Sequence, residues 1–200
     1  MAKLQPGEAD RCRTAYWAAV RQAGVDPTGK VFIDKHPFNG IKLSLIAKLF
    51  PKAKVVFTVR DPRDVVLSCL RQRLRPNAFS YELSSLAGAT TLYDRYMHLV
   101  ESYRAKLDFD IYDHRHEALI TDFEGAVRAT CDHIGLSWTP ELTNFAYGAL
   151  QGNVVSLSSR QLAAGLNDEG VARWRHYAAQ MAPVLPTLAP WVVRYGYAAD

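Results

Sequence analysis

The stretch that decides the fold runs from residue 50 to residue 69 and reads FPKAKVVFTVRDPRDVVLSC. Its VVFTV run is apolar and rich in β-branched residues, which is typical of a buried strand. The run ends at Arg60, after which Asp61 can cap a helix and Pro62 fits its first turn. The sequence therefore predicts an arginine where a strand gives way to a helix N-terminus. Open α/β sheets bind ligands at that edge, and helix N-termini favour phosphate.

Patterns on either side of this stretch predict an α/β fold. Strand-like segments alternate with segments of helical periodicity, an order that favours a parallel sheet flanked by helices within one domain, residues 1–200. A capping box from Thr121 to Glu124 is expected to open a helix that ends near Gly135. Residues 151–168 are polar and small, and are predicted to form a functional or mobile loop. The predicted strands are residues 30–34, 54–60 and 108–112. The predicted helices are residues 9–24, 39–50, 62–74, a long helix from about 80 or 84 to 106, and residues 121–135, 169–181 and 184–195.

The composition is that of an ordinary globular domain, with 48% apolar and 22% charged residues. A net charge of +4 is too small to indicate nucleic acid as a partner. No apolar run reaches about 18 residues and the first residues lack a signal-peptide segment, so no membrane partner is expected. The three cysteines are far apart and lack zinc-ligand spacing, which fits a reducing cytoplasm and a site without metal.

Three stretches carry a resemblance to a known family. Residues 34–39, DKHPFN, are similar to its D-K-x-P-x-N pattern, and residues 49–68 are similar to its 3′-phosphate-binding segment. Residues 171–177 and 190–197, VARWRHY and PWVVRYGY, are similar to its C-terminal region. The chain thereby resembles sulfotransferases that use 3′-phosphoadenosine 5′-phosphosulfate (PAPS), and most of all the bacterial relatives of the tyrosylprotein sulfotransferases. The resemblance implies a P-loop-NTPase-like sulfotransferase architecture.

The resemblance assigns roles to five residues. Arg60 and Ser68 would hold the 3′-phosphate of the nucleotide, the first with a planar charged donor pair and the second with a neutral hydroxyl. Lys35 would be catalytic, because an ammonium group stabilises the charge that develops on oxygen during sulfuryl transfer. Ser156 and Arg160 would contact the nucleotide from a loop that closes over it.

Each of these positions also has a purely structural interpretation. Arg60 could form a salt bridge to Asp61 or Asp64. Ser68 could bond to a carbonyl of its own helix, and Lys35 could be a surface lysine in a turn. The predicted closing loop could be an ordinary polar loop.

Three ring-bearing side chains are further candidates. His36 could accept the proton of the acceptor, although this position is variable in the family pattern. His116, in HRHEAL, stands where many relatives have a tyrosine, and could contact the nucleotide or pack locally. Trp174 is expected in the core rather than as a platform for adenine.

The chain departs from the family pattern at its start. A loop like P-R-S-G-T-T, whose amides cradle the 5′-phosphosulfate, is not found in the sequence, nor is the glutamate base that follows it in the tyrosylprotein enzymes. The first strand is therefore predicted to be missing, either by truncation or by natural loss, and the open sheet edge would favour a homo-oligomer. A nucleotide kinase is disfavoured because G-x-x-x-x-G-K-[ST] is lacking.

Two functions remain open on this sequence. The first is a sulfotransferase, or its C-terminal part, that moves a sulfuryl group from PAPS to a hydroxyl of a peptide, sugar or small metabolite. The alternative is a non-catalytic sulfotransferase-like module that binds a nucleotide or a partner protein.

Overall fold

The computed structural model describes residues 5, 7–72, 78–144 and 165–199, with the backbone alone at 78 and 79. The chain folds into two compact units. The first comprises residues 1–55 and 96–111, and the second comprises residues 56–95 and 112–200. Within the described ranges, no helix is both long enough and apolar enough to cross a membrane.

The first unit contains two helices and part of a third. Helix α1 spans Glu8–Gln22, a 3₁₀ turn spans Asn39–Lys42, and α2 follows at once as Leu43–Leu49. Edge-to-face contacts at 5.1–6.4 Å join the rings of α1 to the chain before and after α2. The rings in this cluster belong to Tyr16, Trp17, Phe32 and Phe50.

The predicted strand at residues 30–34 is wrong. These residues form no ladder with any described part of the chain, and Val31 and Ile33 are exposed. An apolar alternating run becomes a strand only where a neighbouring strand can satisfy its backbone, and here the described strands pair with each other instead.

The second unit is built around a two-stranded parallel sheet, with β1 at Val55–Val59 and β2 at Ile111–Arg115. Both strands begin at the unit boundary. The fold is thus mixed α/β and mostly helical, as the sequence predicts. The helices are α3 at Pro62–Arg71, α4 at Ala78–Glu82, α5 at Leu86–Arg104, α6 at His116–Thr121, α7 at Phe123–Ile134, α8 at Ala178–Met181 and α9 at Leu185–Arg194, with 3₁₀ turns at Pro140–Asn144 and Arg173–Tyr177.

The core of this unit packs α3 against the C-terminal segment. Val66 and Leu67 of α3 meet Trp174 and the apolar faces of α8 and α9, where Leu188 is fully buried. Burying a side chain of this size contributes about 1.5–3 kcal/mol. The core thereby fixes the start of α3 against residues near 170–174.

The caps follow the sequence with one correction. Gly135 ends α7 in a left-handed conformation, φ 77°, as predicted. The N-cap of α7 is Asp122, which accepts from the Gly125 N–H at 3.0 Å, and not Thr121. The Thr121 hydroxyl instead donates to the Glu117 carbonyl at 3.2 Å, because Thr121 is the last residue of α6.

Other elements also differ from the prediction, and the helix predicted at 169–181 is a 3₁₀ turn at Arg173–Tyr177 followed by α8. The strand predicted at 108–112 lies at Ile111–Arg115, because its ladder begins where the Val55 N–H donates to the Asp110 carbonyl at 2.9 Å. The long helix expected from about residue 80 or 84 is α5, which begins at Leu86, and a separate short helix, α4, precedes it.

Candidate functional site

The junction between β1 and α3 is held by a buried ion pair. Asp61 caps α3 by accepting from the Arg63 N–H at 2.9 Å, and its other oxygen lies 2.8 Å from Arg63 Nη2. The Arg63 guanidinium also stacks on the Trp174 ring at 4.0 Å and donates to the Ala198 carbonyl at 2.8 Å. Asp61 is therefore neutralised by Arg63 and not by Arg60.

Arg60, the first residue after β1, is half-buried and makes one hydrogen bond to another described residue. Its Nη2 donates to the Gly170 carbonyl at 2.6 Å. A Cβ atom at Gly170 would lie 2.7 Å from that nitrogen, so a larger residue there would displace the end of the Arg60 side chain. Arg60 Nε is buried and finds no acceptor among the described residues. A buried charged donor without a partner is costly, and an anion bound at this edge would satisfy it.

Asp64 faces the C-terminal segment. It is buried, and its Oδ1 accepts from the Trp174 N–H at 2.8 Å, which caps the 3₁₀ turn Arg173–Tyr177. Burial raises the pKa of this carboxyl, while the Trp174 hydrogen bond and the Arg60 charge oppose that shift. The structure shows no ion pair between Asp64 and Arg60 within the described chain, so neither predicted salt bridge of Arg60 is formed.

The end of β2 meets the same junction. The Glu117 carboxylate accepts from the Asp61 N–H at 3.1 Å and from the Tyr197 hydroxyl at 2.8 Å. The Arg115 guanidinium lies over the Tyr197 ring at 4.3 Å. The sequence analysis did not identify the roles of Arg63, Glu117 and Tyr197. Glu117 and Tyr197 act through contacts with residues that are distant in the chain. The position of Arg63 depends on the cap that Asp61 forms.

His116 is the first residue of α6 and is half-buried. Burial lowers the pKa of its imidazole, and the Arg60 and His114 charges lower it further, while Glu117 raises it. His114 is more deeply buried and bonds through Nδ1 to the Thr130 hydroxyl at 2.8 Å.

Ser68 is half-buried on α3, the helix that begins directly after Arg60. Its neighbour Cys69 has a thiol whose pKa is raised by burial and lowered by the Arg60 charge. The structure keeps these two predicted site residues in one compact unit, on consecutive elements.

Lys35 is exposed and lies in the first unit. It belongs to a turn that is closed by hydrogen bonds between residues of the DKHPFN motif. Asn39 Nδ2 donates to the Asp34 carboxylate at 3.2 Å and to the Asp34 carbonyl at 3.4 Å. The Tyr16 hydroxyl donates to the same carboxylate at 2.8 Å, and burial with this hydrogen bond raises the pKa of Tyr16 to about 12. Asp34 and Asn39, the first and last residues of DKHPFN, are thus hydrogen-bonded to each other across the turn that contains Lys35.

His36 lies in that turn, and its Nδ1 accepts from the Phe38 N–H at 3.2 Å. One ring nitrogen is therefore engaged by the backbone. Ser156 and Arg160 lie outside the described residues. Trp174 is 5% exposed and belongs to the core, as expected.

No group of three or more His, Cys, Asp or Glu side chains in the described part of the chain could hold a metal ion. The site is therefore an edge of an α/β sheet that presents an arginine, with a hydroxyl on the following helix. This donor set fits a phosphate or sulfate ester.

Comparison with known proteins identifies the family. The model of the Sulfotransferase family matches residues 3–140, which is more than half of the chain, and the chain belongs to that family. A curated relative, an uncharacterized protein of Aquifex aeolicus (strain VF5), is 24% identical over 179 residues, which cover 84% of this chain and 22% of that protein. The chain therefore spans about a fifth of the length of the relative that it matches.

Proposed function

We propose that this chain is the PAPS-dependent part of a sulfotransferase, which moves a sulfuryl group to a hydroxyl of a peptide, sugar or small metabolite. The observation that carries the proposal is the half-buried guanidinium of Arg60 at the carboxyl end of β1, with an Nε that has no acceptor among the described residues. Membership of the Sulfotransferase family, which generally uses PAPS, supports the choice of donor.

Arg60 is suited to a 3′-phosphate for an electrostatic reason. Asp61 pairs with Arg63, and Asp64 accepts from the Trp174 N–H through Oδ1, so neither carboxylate is hydrogen-bonded to Arg60. A dianionic phosphate ester would receive charged hydrogen bonds from Arg60, with the Ser68 hydroxyl as a further donor from α3. Ser156 and Arg160 are proposed to add contacts from the closing loop.

Lys35 is proposed to act on the transferring group. In the reaction, the acceptor oxygen forms a bond to sulfur as the bond from sulfur to the 5′-phosphate oxygen breaks, and the hydroxyl proton is released to solvent water. The products are a sulfate ester and 3′-phosphoadenosine 5′-phosphate. An ammonium group beside the leaving oxygen stabilises the negative charge that gathers there. This role needs a fixed position for Lys35. The hydrogen bond between Asn39 and Asp34, which closes the turn that carries Lys35, supports it.

Transfer of labelled sulfate from PAPS tests the proposal, with a tyrosine peptide, a polysaccharide and a phenol as acceptors. We expect transfer to one of these classes, a loss of transfer in Lys35→Ala, and normal transfer in Lys52→Ala, which removes another exposed lysine of the first unit. Undiminished transfer by Lys35→Ala would contradict the assigned role. Binding of 3′-phosphoadenosine 5′-phosphate without transfer to any acceptor would favour the non-catalytic module.

The three cysteines are free thiols, two of them at least half-buried, which supports a proposed location in the reducing cytoplasm. The whole of residues 1–200 is proposed to work as one sulfotransferase domain.

A further inference from the structure

His116 and Arg60 hold equivalent positions on neighbouring strands. Arg60 is the first residue after β1, and His116 is the first residue after β2. The two strands are paired and parallel, so their carboxyl ends lie at the same edge. The hydrogen bond from the Asp61 N–H to Glu117 joins the residues that come next, and so fixes the two strand ends side by side.

The ionisable side chains closest in sequence to His116 already have hydrogen-bond partners. Glu117 accepts from the Asp61 N–H and from the Tyr197 hydroxyl, and His114 bonds to the Thr130 hydroxyl. No hydrogen bond to the His116 ring is formed within the described chain. Burial and the positive charge of Arg60 disfavour a positive charge on His116, and the Glu117 carboxylate opposes them only in part.

We propose that His116 is a second, proton-linked contact for the nucleotide phosphate held at Arg60, so that binding of the phosphate is coupled to uptake of a proton by this histidine. The inference rests on the proposed function, because it concerns the same site. It gives a specific role to a histidine at a position where the family resemblance has a tyrosine, whose charge does not change near neutral pH.

The electrostatics favour this coupling in one direction. Without ligand, burial and Arg60 keep the pKa of His116 below its ordinary value, so the ring is neutral at pH 7. A bound dianion cancels the Arg60 charge and attracts a proton to His116. By linkage, protonation of His116 must then tighten phosphate binding by the same factor, and each restored pKa unit corresponds to a tenfold change in affinity.

Isothermal calorimetry of 3′-phosphoadenosine 5′-phosphate binding tests the coupling. Titrations at pH 5.5, 6.5 and 7.5, in two buffers with different ionisation enthalpies, give the number of protons taken up. His116→Gln keeps a polar side chain but cannot become cationic. Because the phosphate itself titrates near pH 6, the informative quantity is the difference between wild type and His116→Gln at each pH. The matched control is His98→Gln, which removes an exposed histidine of α5 that does not act on His116.

We expect His116→Gln to bind as the wild type does at pH 7.5 and several-fold more weakly at pH 5.5, with fewer protons taken up at pH 6.5. His98→Gln should match the wild type throughout. Equal affinities and equal proton uptake in wild type and His116→Gln would overturn the inference and leave the proposed function intact. A wild type that binds at no pH would overturn both.

NMR gives a second readout, on the wild type. The His116 ring signal, assigned by its loss in His116→Gln, should titrate at higher pH with the nucleotide than without it. An unchanged or lower titration midpoint in the complex would contradict the proposal.

Discussion

The Asp61 backbone N–H donates to the Glu117 carboxylate at 3.1 Å, and this hydrogen bond joins the ends of the two strands. Asp61 caps α3, and Glu117 lies in the first turn of α6. The same carboxylate receives the Tyr197 hydroxyl at 2.8 Å, so one side chain ties together β1, β2 and the C-terminal segment. The edge that presents Arg60 is therefore assembled from three separate parts of the sequence.

Removal of that carboxylate should loosen the edge. Glu117→Ala leaves the Asp61 N–H and the Tyr197 hydroxyl without their acceptor, and each such group, when buried, costs about 1–3 kcal/mol. We expect the free energy of unfolding in urea to fall by about 2 kcal/mol or more. Glu117→Gln retains an acceptor oxygen and should lose less than half as much. Equal losses for the two variants would mean that the hydrogen bonds are not the source of the stability.

The glycine at position 170 should control the position of Arg60. In Gly170→Ala the new methyl group would meet Arg60 Nη2 at 2.7 Å and displace the guanidinium. We expect affinity for 3′-phosphoadenosine 5′-phosphate to fall about tenfold, which corresponds to about 1.4 kcal/mol. In an Arg60→Ala background the same substitution should have no further effect on affinity. If the double variant lost affinity by the sum of the two single losses, Gly170 would affect binding by a route other than the position of Arg60.

Asp64 should make the stability of the chain depend on pH. Its folded pKa is raised, chiefly by burial, so its favourable contribution is complete below the unfolded pKa of about 3.9 and is lost as pH rises through the folded pKa. Asp64→Asn keeps an oxygen for the Trp174 N–H and removes the titration. We therefore expect the variant to gain stability relative to the wild type between pH 4 and pH 7, measured by urea unfolding. If the difference in unfolding free energy between Asp64→Asn and the wild type were the same at every pH in this range, the assigned burial of the Asp64 charge would be contradicted.

The turn that carries Lys35 should matter for the rate of transfer. Asn39→Ala removes both hydrogen bonds to Asp34 and frees the Lys35 turn. We expect kcat for sulfuryl transfer to fall about tenfold or more, because catalytic groups lose rate when their position is not held. Binding of 3′-phosphoadenosine 5′-phosphate should be unchanged. Ser44→Ala, on α2, is the control, and a similar loss in that variant would mean a general effect on the first unit.

Much of the fold could be predicted from local sequence patterns. The β-branched run before Arg60, the Asp61 cap with Pro62 after it, and Gly135 at the end of α7 all depend on residues close in sequence, and the structure confirms them. The family resemblance was confirmed by the family match over residues 3–140.

The errors came from contacts that the local sequence does not encode. Residues 30–34 have the alternation of a strand, but a strand also needs a partner, and pairing is decided by the rest of the chain. The ion pair of Asp61 with Arg63 likewise depends on Trp174 and Ala198, which lie more than a hundred residues away and hold the arginine in place. The roles of Lys35, Arg60 and Ser68 remain predictions.

The measurement that tests the central claim most directly is the melting temperature with 3′-phosphoadenosine 5′-phosphate, compared with 5′-AMP, for the wild type, Arg60→Ala and Arg71→Ala. Arg71 is the exposed last residue of α3 and serves as the matched arginine control. At a ligand concentration 100 times Kd, we expect the bisphosphate to raise the melting temperature of the wild type and of Arg71→Ala by about 5–10 °C. We expect 5′-AMP to have a much smaller effect, and Arg60→Ala to respond to neither nucleotide. A full shift that persists in Arg60→Ala, or an equal shift with 5′-AMP, would contradict the claim that Arg60 binds the 3′-phosphate.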